Sequence, residues 1–179
     1  MHNFFVSPQL ILENINSHKY NSIYNKNMTY KGRYTVKNPN KYDGDPTKVV
    51  FRSLWERQVF KFMDSNPDVI KWQSKETVIP YRCKTDNRVH RYFMDIKMVT
   101  KDKTYLIEIK PKIQTQAPKQ PKRKTKRYIT EVMSYIKNTS KWETAEAYCA
   151  DRGWEFVIWT EEDLHRMGIK LLGAKKSKK

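Results

Sequence analysis

The sequence is short of cysteine, of long apolar runs and of acidic residues to balance its bases. Its two cysteines, Cys83 and Cys149, are too few for a disulfide scaffold, so we expect free thiols in a reducing compartment. No run approaches about 18 apolar residues, which excludes a transmembrane helix and leaves no membrane partner. The residues after Met1 lack a basic segment followed by a long apolar one, so we expect no secretion signal.

The charge balance is strongly basic. Lys and Arg number 36 and Asp and Glu number 19, which gives a net charge of +17 for 179 residues, of which 13% are aromatic. Such an excess indicates a polyanionic partner, and a nucleic acid is the leading one. Charge alone leaves open a basic surface that is merely solvated, or a nucleic-acid binder without chemistry.

The length predicts one folded domain with extensions. Residues 1–30 are rich in Asn and hold few charges, which is typical of an arm that docks on a partner. Residues 31–170 carry the regular helix and strand patterns, and residues 171–179 are rich in lysine. We therefore predict an N-terminal arm, a central domain and a basic C-terminal tail.

Hydrophobic periodicity first predicts a helix and then a group of strands. Apolar residues recur at helical spacing over 51–63, and Asn66 before Pro67 ends that helix because a residue preceding proline avoids the helical conformation. Strand composition follows at residues 78–81, 89–99 and 104–109, with a hairpin turn at 100–103 and a further strand at 154–159.

Further helices are predicted after the hairpin. Residues 128–136 present apolar side chains on one face, and Ser140 with Glu143 has the pattern of a capping box that begins a separate helix. That helix ends at Gly153, and a last helix begins at Thr160. The order of elements predicts an α/β fold in which helices flank a central mixed β-sheet.

Two acidic residues, Asp95 and Glu108, interrupt the apolar strands of the hairpin. Carboxylates are poor strand residues and are rarely buried without a partner. If Lys101 and Asp102 form a two-residue turn, the numbers of opposed residues sum to 203, which places Asp95 opposite Glu108. Opposed side chains have Cβ atoms about 4.5–5.5 Å apart, so these carboxylates repel each other unless a positive charge lies between them.

A divalent cation would supply that charge. Lys110 points to the same face as Glu108, and the carbonyl of Ile109 lies between the two as a further oxygen ligand. Hard oxygen ligands suit Mg²⁺ or Mn²⁺, whereas zinc is not expected because no His or Cys cluster adjoins the motif. Such a cation would polarise a phosphodiester, with Lys110 orienting water or stabilising charge. The alternative is a solvated ion pair between Glu108 and Lys110.

Glu56 is a third candidate ligand. It lies on the first predicted helix, beside the centre of the apolar stripe. From there it either reaches the cation or a water bound to it, or pairs on the surface with a neighbouring base such as Arg52 or Lys61.

A basic loop precedes the helix at 128–136. Cations repeated at this density can contact several phosphates of a nucleic acid, and a mobile, solvated loop is the alternative. The predicted DNA-binding residues are Lys122, Arg123, Lys124, Lys126 and Arg127.

These residues resemble a known superfamily. A Glu on a first helix, an Asp on one strand and Glu-x-Lys on the next are similar to the PD-(D/E)xK nucleases, which have a restriction-endonuclease-like core. Four blocks, at residues 37–42, 52–57, 90–95 and 105–111, narrow the resemblance to the head completion nucleases of tailed phages and the N-terminal endonuclease domain of TnsA. One departure is that Met94, rather than proline, precedes Asp95.

The resemblance implies a Mg²⁺-dependent DNA nuclease with residues 31–170 as the nuclease domain. Glu56, Asp95, Glu108 and Lys110 take the catalytic positions of the superfamily. It further implies double-stranded DNA as the substrate, cutting of packaged DNA before heads join tails, and portal or neck proteins as partners. The protein would then be found in the virion or, during assembly, in the host cytoplasm. Two alternatives remain: a virion protein that binds the DNA end or the portal without catalysis, and a nonspecific nucleic-acid-binding module.

Overall fold

The computed structural model describes residues 30–123 and 125–171. The predicted arm apart from Tyr30, the predicted tail apart from Leu171, and Lys124 of the basic loop lie outside the described residues. In chain order the elements are β1 (Gly32–Arg33), β2 (Val50–Phe51), α1 (Leu54–Ser65), β3 (Lys71–Gln73), β4 (Val78–Arg82), β5 (Val89–Phe93), β6 (Ile96–Val99), β7 (Thr104–Ile109), α2 (Lys126–Ala150), β8 (Glu155–Trp159) and α3 (Glu161–Arg166).

The central sheet is mixed, as predicted. Its strand order is β3-β6-β7-β8, in which β3 and β6 and then β6 and β7 pair antiparallel, while β7 and β8 pair parallel. Ile96 lies opposite Ile107, so the sum of 203 predicted for the hairpin is confirmed. Two further pairs, β1 with β2 and β4 with β5, form separate two-stranded sheets.

Helices and the two-stranded sheet of β4 and β5, called the β4–β5 ribbon below, cover the two faces of the central sheet. One face carries Ile96 and Ile107, which share a core with α1 and with Leu164 of α3. The other face carries Leu106, which shares a core with the β4–β5 ribbon and with Ala145 of α2. No helix in the described parts of the chain is long and apolar enough to cross a membrane.

The helix α1 ends where it is predicted to end but begins later, because Phe51 of the predicted apolar stripe lies in β2. Ser53 caps its N-terminus by accepting a hydrogen bond from the Glu56 amide at 3.1 Å. At the other end the Asn66 amide donates to the Phe62 carbonyl and the backbone of Asn66 is extended, as expected before Pro67. This cap fixes Glu56 in the first helical turn.

The strand predicted over 89–99 is wrong as one continuous element, because β5 ends at Phe93 and β6 begins at Ile96. Between the pairs Gln73–Lys97 and Val78–Phe93, the segment that joins β3 to β4 has four residues, whereas the opposite segment has only three. This extra residue makes a β-bulge, and Lys75 within it has a left-handed backbone with φ of 63°. The bulge bends the chain at Asp95.

The predicted helix boundary at Ser140 is also wrong, because α2 runs unbroken over 25 residues. The Ser140 hydroxyl donates to the Ile136 carbonyl at 2.8 Å and accepts from the Lys84 amide at 3.2 Å. Glu143 pairs with the Lys84 ammonium instead of capping a helix. The polar residues that resemble a cap therefore attach the ribbon to α2.

Candidate active site

Asp95 is held where the pairing of β6 with β7 ends. The residue is buried, with 7% of its surface exposed, and Oδ2 accepts a hydrogen bond from the Ile109 amide at 2.9 Å. That amide lies beyond the last pair, Ile96 with Ile107, so a side chain satisfies it in place of a strand backbone. The other oxygen, Oδ1, contacts the Lys75 ammonium. One oxygen of Asp95 thus takes the place of a backbone acceptor beside β7, and the other faces Lys75 in the site.

Glu108 lies on the same face, near the end of β7. Its side chain is buried; Oε2 accepts from the Tyr92 hydroxyl at 2.8 Å, and Oε1 lies 3.1 Å from the Lys110 ammonium. Burial, followed by the negative charge of Asp95, raises the pKa of Glu108 to about 7, against the opposing effects of Lys110 and Tyr92. The two predicted carboxylates are therefore close enough to repel each other.

Glu56 reaches the same region from α1. Its Oε2 accepts from the Arg52 amide at 2.6 Å, and its Oε1 lies 3.7 Å from the Lys75 ammonium. Burial raises the pKa of Glu56, and the charge of Asp95 adds to that effect while Lys75 opposes it. The surface pairing considered for Glu56 does not describe this side chain, because it is buried and faces Asp95.

Lys75 is a member of the site that the sequence does not single out. Its ammonium contacts Asp95 and lies near Glu56, and its backbone amide donates to the Met94 carbonyl at 3.1 Å. The only local signal is a short polar stretch between two strands, which does not distinguish a bulge from an ordinary turn. Its charge offsets part of the repulsion between the carboxylates.

Two further lysines face the carboxylates. Burial opposes the charge on Lys110, but the attraction of Glu108 and Asp95 outweighs it, so the pKa of Lys110 is raised. Lys141 of α2, which the sequence also does not single out, lies with its ammonium 5.4 Å from the centre of the Tyr92 ring. Burial lowers the pKa of Lys141. The site therefore combines three acidic with three basic side chains.

The donor atoms fit a hard divalent cation. Glu56, Asp95 and Glu108 offer carboxylate oxygens, which Mg²⁺ and Mn²⁺ prefer. Ile109 contributes its amide to Asp95 and its side chain to the apolar core. The expectation that its carbonyl is a ligand stays a prediction.

The basic loop lies at the start of α2. Lys122, Arg123, Lys126 and Arg127 are exposed, and Arg127 pairs with Glu131 at 2.9 Å within the helix. The DNA-binding role of these residues stays a prediction, as does that of Lys124, which is outside the described residues.

Comparison with known proteins places the chain in a family. The sequence model described as "TnsA-like endonuclease N terminal" matches residues 66–161, more than half of the chain. This range contains Asp95, Glu108 and Lys110 but begins after Glu56. No solved structure matches.

A curated relative extends the similarity to most of the chain. The head completion nuclease of Enterobacteria phage T4 is 42% identical over 148 residues, which cover 80% of this chain and 99% of the relative. The two comparisons agree with the resemblance seen in the motifs and with the mixed sheet flanked by helices. The chain therefore belongs to the family of TnsA-like endonucleases, and its activity is that of a nuclease.

Proposed function

We propose that the protein hydrolyses phosphodiester bonds of double-stranded DNA with a divalent cation, Mg²⁺ or Mn²⁺, held by Asp95 and Glu108. The observation that carries the proposal is the burial of these two carboxylates side by side, with Lys110 3.1 Å from one of them. Glu56 and the carbonyl of Ile109 complete the proposed ligands. A cation bound there would polarise the scissile phosphate.

The side chains of the protein have separate roles in this proposal. The Ile109 amide fixes Asp95, and the Tyr92 hydroxyl fixes Glu108, so both carboxylates are oriented before DNA binds. Lys110 stays charged because its pKa is raised, and it orients the attacking water or stabilises negative charge that develops on the phosphate. Lys75 limits repulsion between Glu56 and Asp95.

The biological role follows from the curated relative, which is named a head completion nuclease. We propose that this chain likewise acts on packaged DNA during head completion, in the host cytoplasm, and that it is retained in the virion. Portal or neck proteins would be its partners, with residues 1–30 as the docking arm. The exposed cations of residues 122–127 would follow the DNA backbone.

Supercoiled circular DNA and linear duplex DNA, each incubated with the protein in Mg²⁺ or in EDTA, test the activity. We expect the circle to be nicked or linearised in Mg²⁺ and to stay intact in EDTA, as the family description "endonuclease" suggests. Cutting confined to linear ends would indicate an exonuclease instead. Binding of both DNAs without any cutting would favour the non-catalytic adaptor.

Substitutions test the site. We expect Asp95→Ala and Lys110→Ala to abolish Mg²⁺-dependent cleavage while circular dichroism remains that of a folded protein. Asp102→Ala and Lys101→Ala, in the exposed turn between β6 and β7, are matched controls and should cleave normally. Full activity of the folded Asp95→Ala protein would refute the proposed site.

A further inference from the structure

The turn joining β4 to β5 brings together a thiol, a carboxylate and an imidazole. In the part of the chain that the structure describes, Cys83, Asp86 and His90 form the one group of three such residues whose ligand atoms all lie within 4.8 Å of one another. The group lies at the end of the ribbon opposite Asp95. It is thus separate from the carboxylates of the proposed active site.

The turn is held in place by several independent contacts. The Cys83 amide donates to the Arg88 carbonyl at 2.9 Å, and the Asn87 amide donates to the Cys83 carbonyl at 2.8 Å. Lys84 anchors the turn to α2, with its amide 3.2 Å from the Ser140 hydroxyl and its ammonium 2.6 Å from Glu143. Because these contacts fix the backbone, the three donor atoms are arranged without any bound ion.

The donors are already close to the spacing that a single ion needs. His90 Nε2 lies 2.9 Å from Asp86 Oδ2, and the Asp86 Oδ1 atom accepts from the Arg88 amide, which orients the carboxylate. The Cys83 sulfur contacts the Thr85 hydroxyl at 3.1 Å. A thiolate, an imidazole and a carboxylate together suit a borderline-soft ion rather than Mg²⁺.

We propose that this turn binds one Zn²⁺ ion through Cys83, Asp86 and His90, with water as the fourth ligand. Binding releases the Cys83 thiol proton to solvent and requires no oxidant. The ion would connect the turn between β4 and β5 to the start of β5. The same ribbon carries Tyr92, whose hydroxyl donates to Glu108. The ribbon thus carries the proposed zinc site at its tip and a hydrogen-bond partner of Glu108 nearer its base.

Binding is tested with the purified full-length protein, stripped with a chelator and titrated with Zn²⁺ alone in competition with a chromophoric chelator. Titration with Co²⁺ then reports sulfur ligation through the near-ultraviolet charge-transfer band of a cobalt–thiolate bond. Cys83→Ser, Asp86→Asn and His90→Asn remove one donor each. Cys149→Ser removes the other buried cysteine, and Asp95→Asn alters the carboxylate site, so these two variants are controls.

We expect one equivalent of Zn²⁺ to bind tightly enough to compete with the chelator in the unmodified protein, in Cys149→Ser and in Asp95→Asn. Binding should raise the melting temperature of each of these proteins. Affinity should fall about tenfold or more in His90→Asn, whose half-exposed side chain can be changed without disturbing the core. The cobalt–thiolate band should vanish in Cys83→Ser and persist in Cys149→Ser. Equal Zn²⁺ affinity of His90→Asn and the unmodified protein, or loss of binding only in Asp95→Asn, would overturn the proposal. No outcome depends on DNA cleavage.

Discussion

Each carboxylate of the proposed active site has its own way of tolerating burial. Asp95 accepts from a backbone amide and contacts Lys75, whereas Glu108 accepts from Tyr92 and contacts Lys110. Buried ions that have partners still carry a desolvation cost, and the raised pKa of Glu108 expresses it. The residue contributes to the site at the expense of the stability of the fold.

The raised pKa of Glu108 predicts a dependence of stability on pH. Because the folded protein holds this proton more tightly than the unfolded chain, stability should fall as pH rises from about 4.5 to about 7 and then level off. The fall attributable to Glu108 should be on the order of 1–3 kcal/mol. Chemical denaturation over this pH range measures it, and Glu108→Gln should flatten the curve.

The same proton competes with the cation. The rise in melting temperature caused by Mn²⁺ should therefore be larger at pH 8 than at pH 5.5. A response to Mn²⁺ that is equal at both pH values would contradict this competition.

Lys75→Met should destabilise the fold and tighten cation binding. Without the ammonium, Asp95 and Glu56 lose a counter-charge, which should cost about 1–3 kcal/mol in the free energy of unfolding. Since the ammonium and a divalent cation compete for the same oxygens, isothermal titration should show tighter Mn²⁺ binding in the variant. Lys48 is exposed and lines the same surface cleft as Lys75, so Lys48→Met is the matched control and should change neither quantity. Weaker Mn²⁺ binding in Lys75→Met would show that the lysine supports the cation.

Among the elements, the β4–β5 ribbon matters most to the site because it supplies Tyr92 from outside the central sheet. Ile79 and Tyr92 place the ribbon against Leu106 and α2, so packing rather than strand pairing positions it. The orientation of Glu108 therefore depends on contacts between two separate sheets.

Tyr92→Phe should lower the cleavage rate about tenfold or more and the stability by about 1 kcal/mol, because Glu108 loses an orienting hydrogen bond. Initial rates at saturating DNA and denaturant unfolding measure the two effects. Tyr105→Phe, on the opposite face of β7, removes a hydroxyl without touching Glu108 and is the control. An unchanged rate in Tyr92→Phe would mean that Lys110 alone suffices to orient Glu108.

Local sequence patterns predict the elements whose causes are local. The end of α1 at Asn66 and the register of β6 with β7 follow from proline and from turn length. The bulge at Lys75 and the unbroken α2 do not, because each depends on a distant partner. The Met94 carbonyl accepts a hydrogen bond from the Lys75 amide in the bulge. The Lys84 amide donates to the Ser140 hydroxyl, which resembles a helix cap in the sequence.

The candidate site divides in the same way. Asp95 and Glu108 can be named from the sequence because carboxylates are unusual within apolar strands. Lys110 can be named because it shares a face with Glu108, and Glu56 because it lies beside the apolar stripe of the first helix. Lys75 and Lys141 are ordinary surface residue types in a chain with 36 bases, so only their placement in three dimensions distinguishes them.

Across the whole molecule, the net charge of +17 attracts a polyanion at long range, before any local contact forms. The three basic side chains beside the carboxylates and the exposed cations near the start of α2 are two parts of this excess. Both groups of cations therefore add to the attraction of a polyanion.

Neutralising the basic loop should weaken DNA binding in a salt-dependent way. With Lys122, Arg123, Lys126 and Arg127 changed to Gln, the slope of log affinity against log salt should become shallower by about 0.9 for each phosphate that the protein no longer neutralises. Fluorescence anisotropy with a labelled duplex at several salt concentrations measures it. Four other exposed lysines changed to Gln give a control of equal charge: Lys37, Lys61, Lys101 and Lys170. Equal slopes for both variants would show that the loop has no special role.

The bulge between β3 and β4 sets a requirement on chain length as well as on side chains. Deleting one residue between Gln73 and Val78 would leave equal numbers on both strands and would remove the bulge that carries Lys75. The contact of Lys75 with Asp95 therefore depends on the length of this stretch as well as on its residue types.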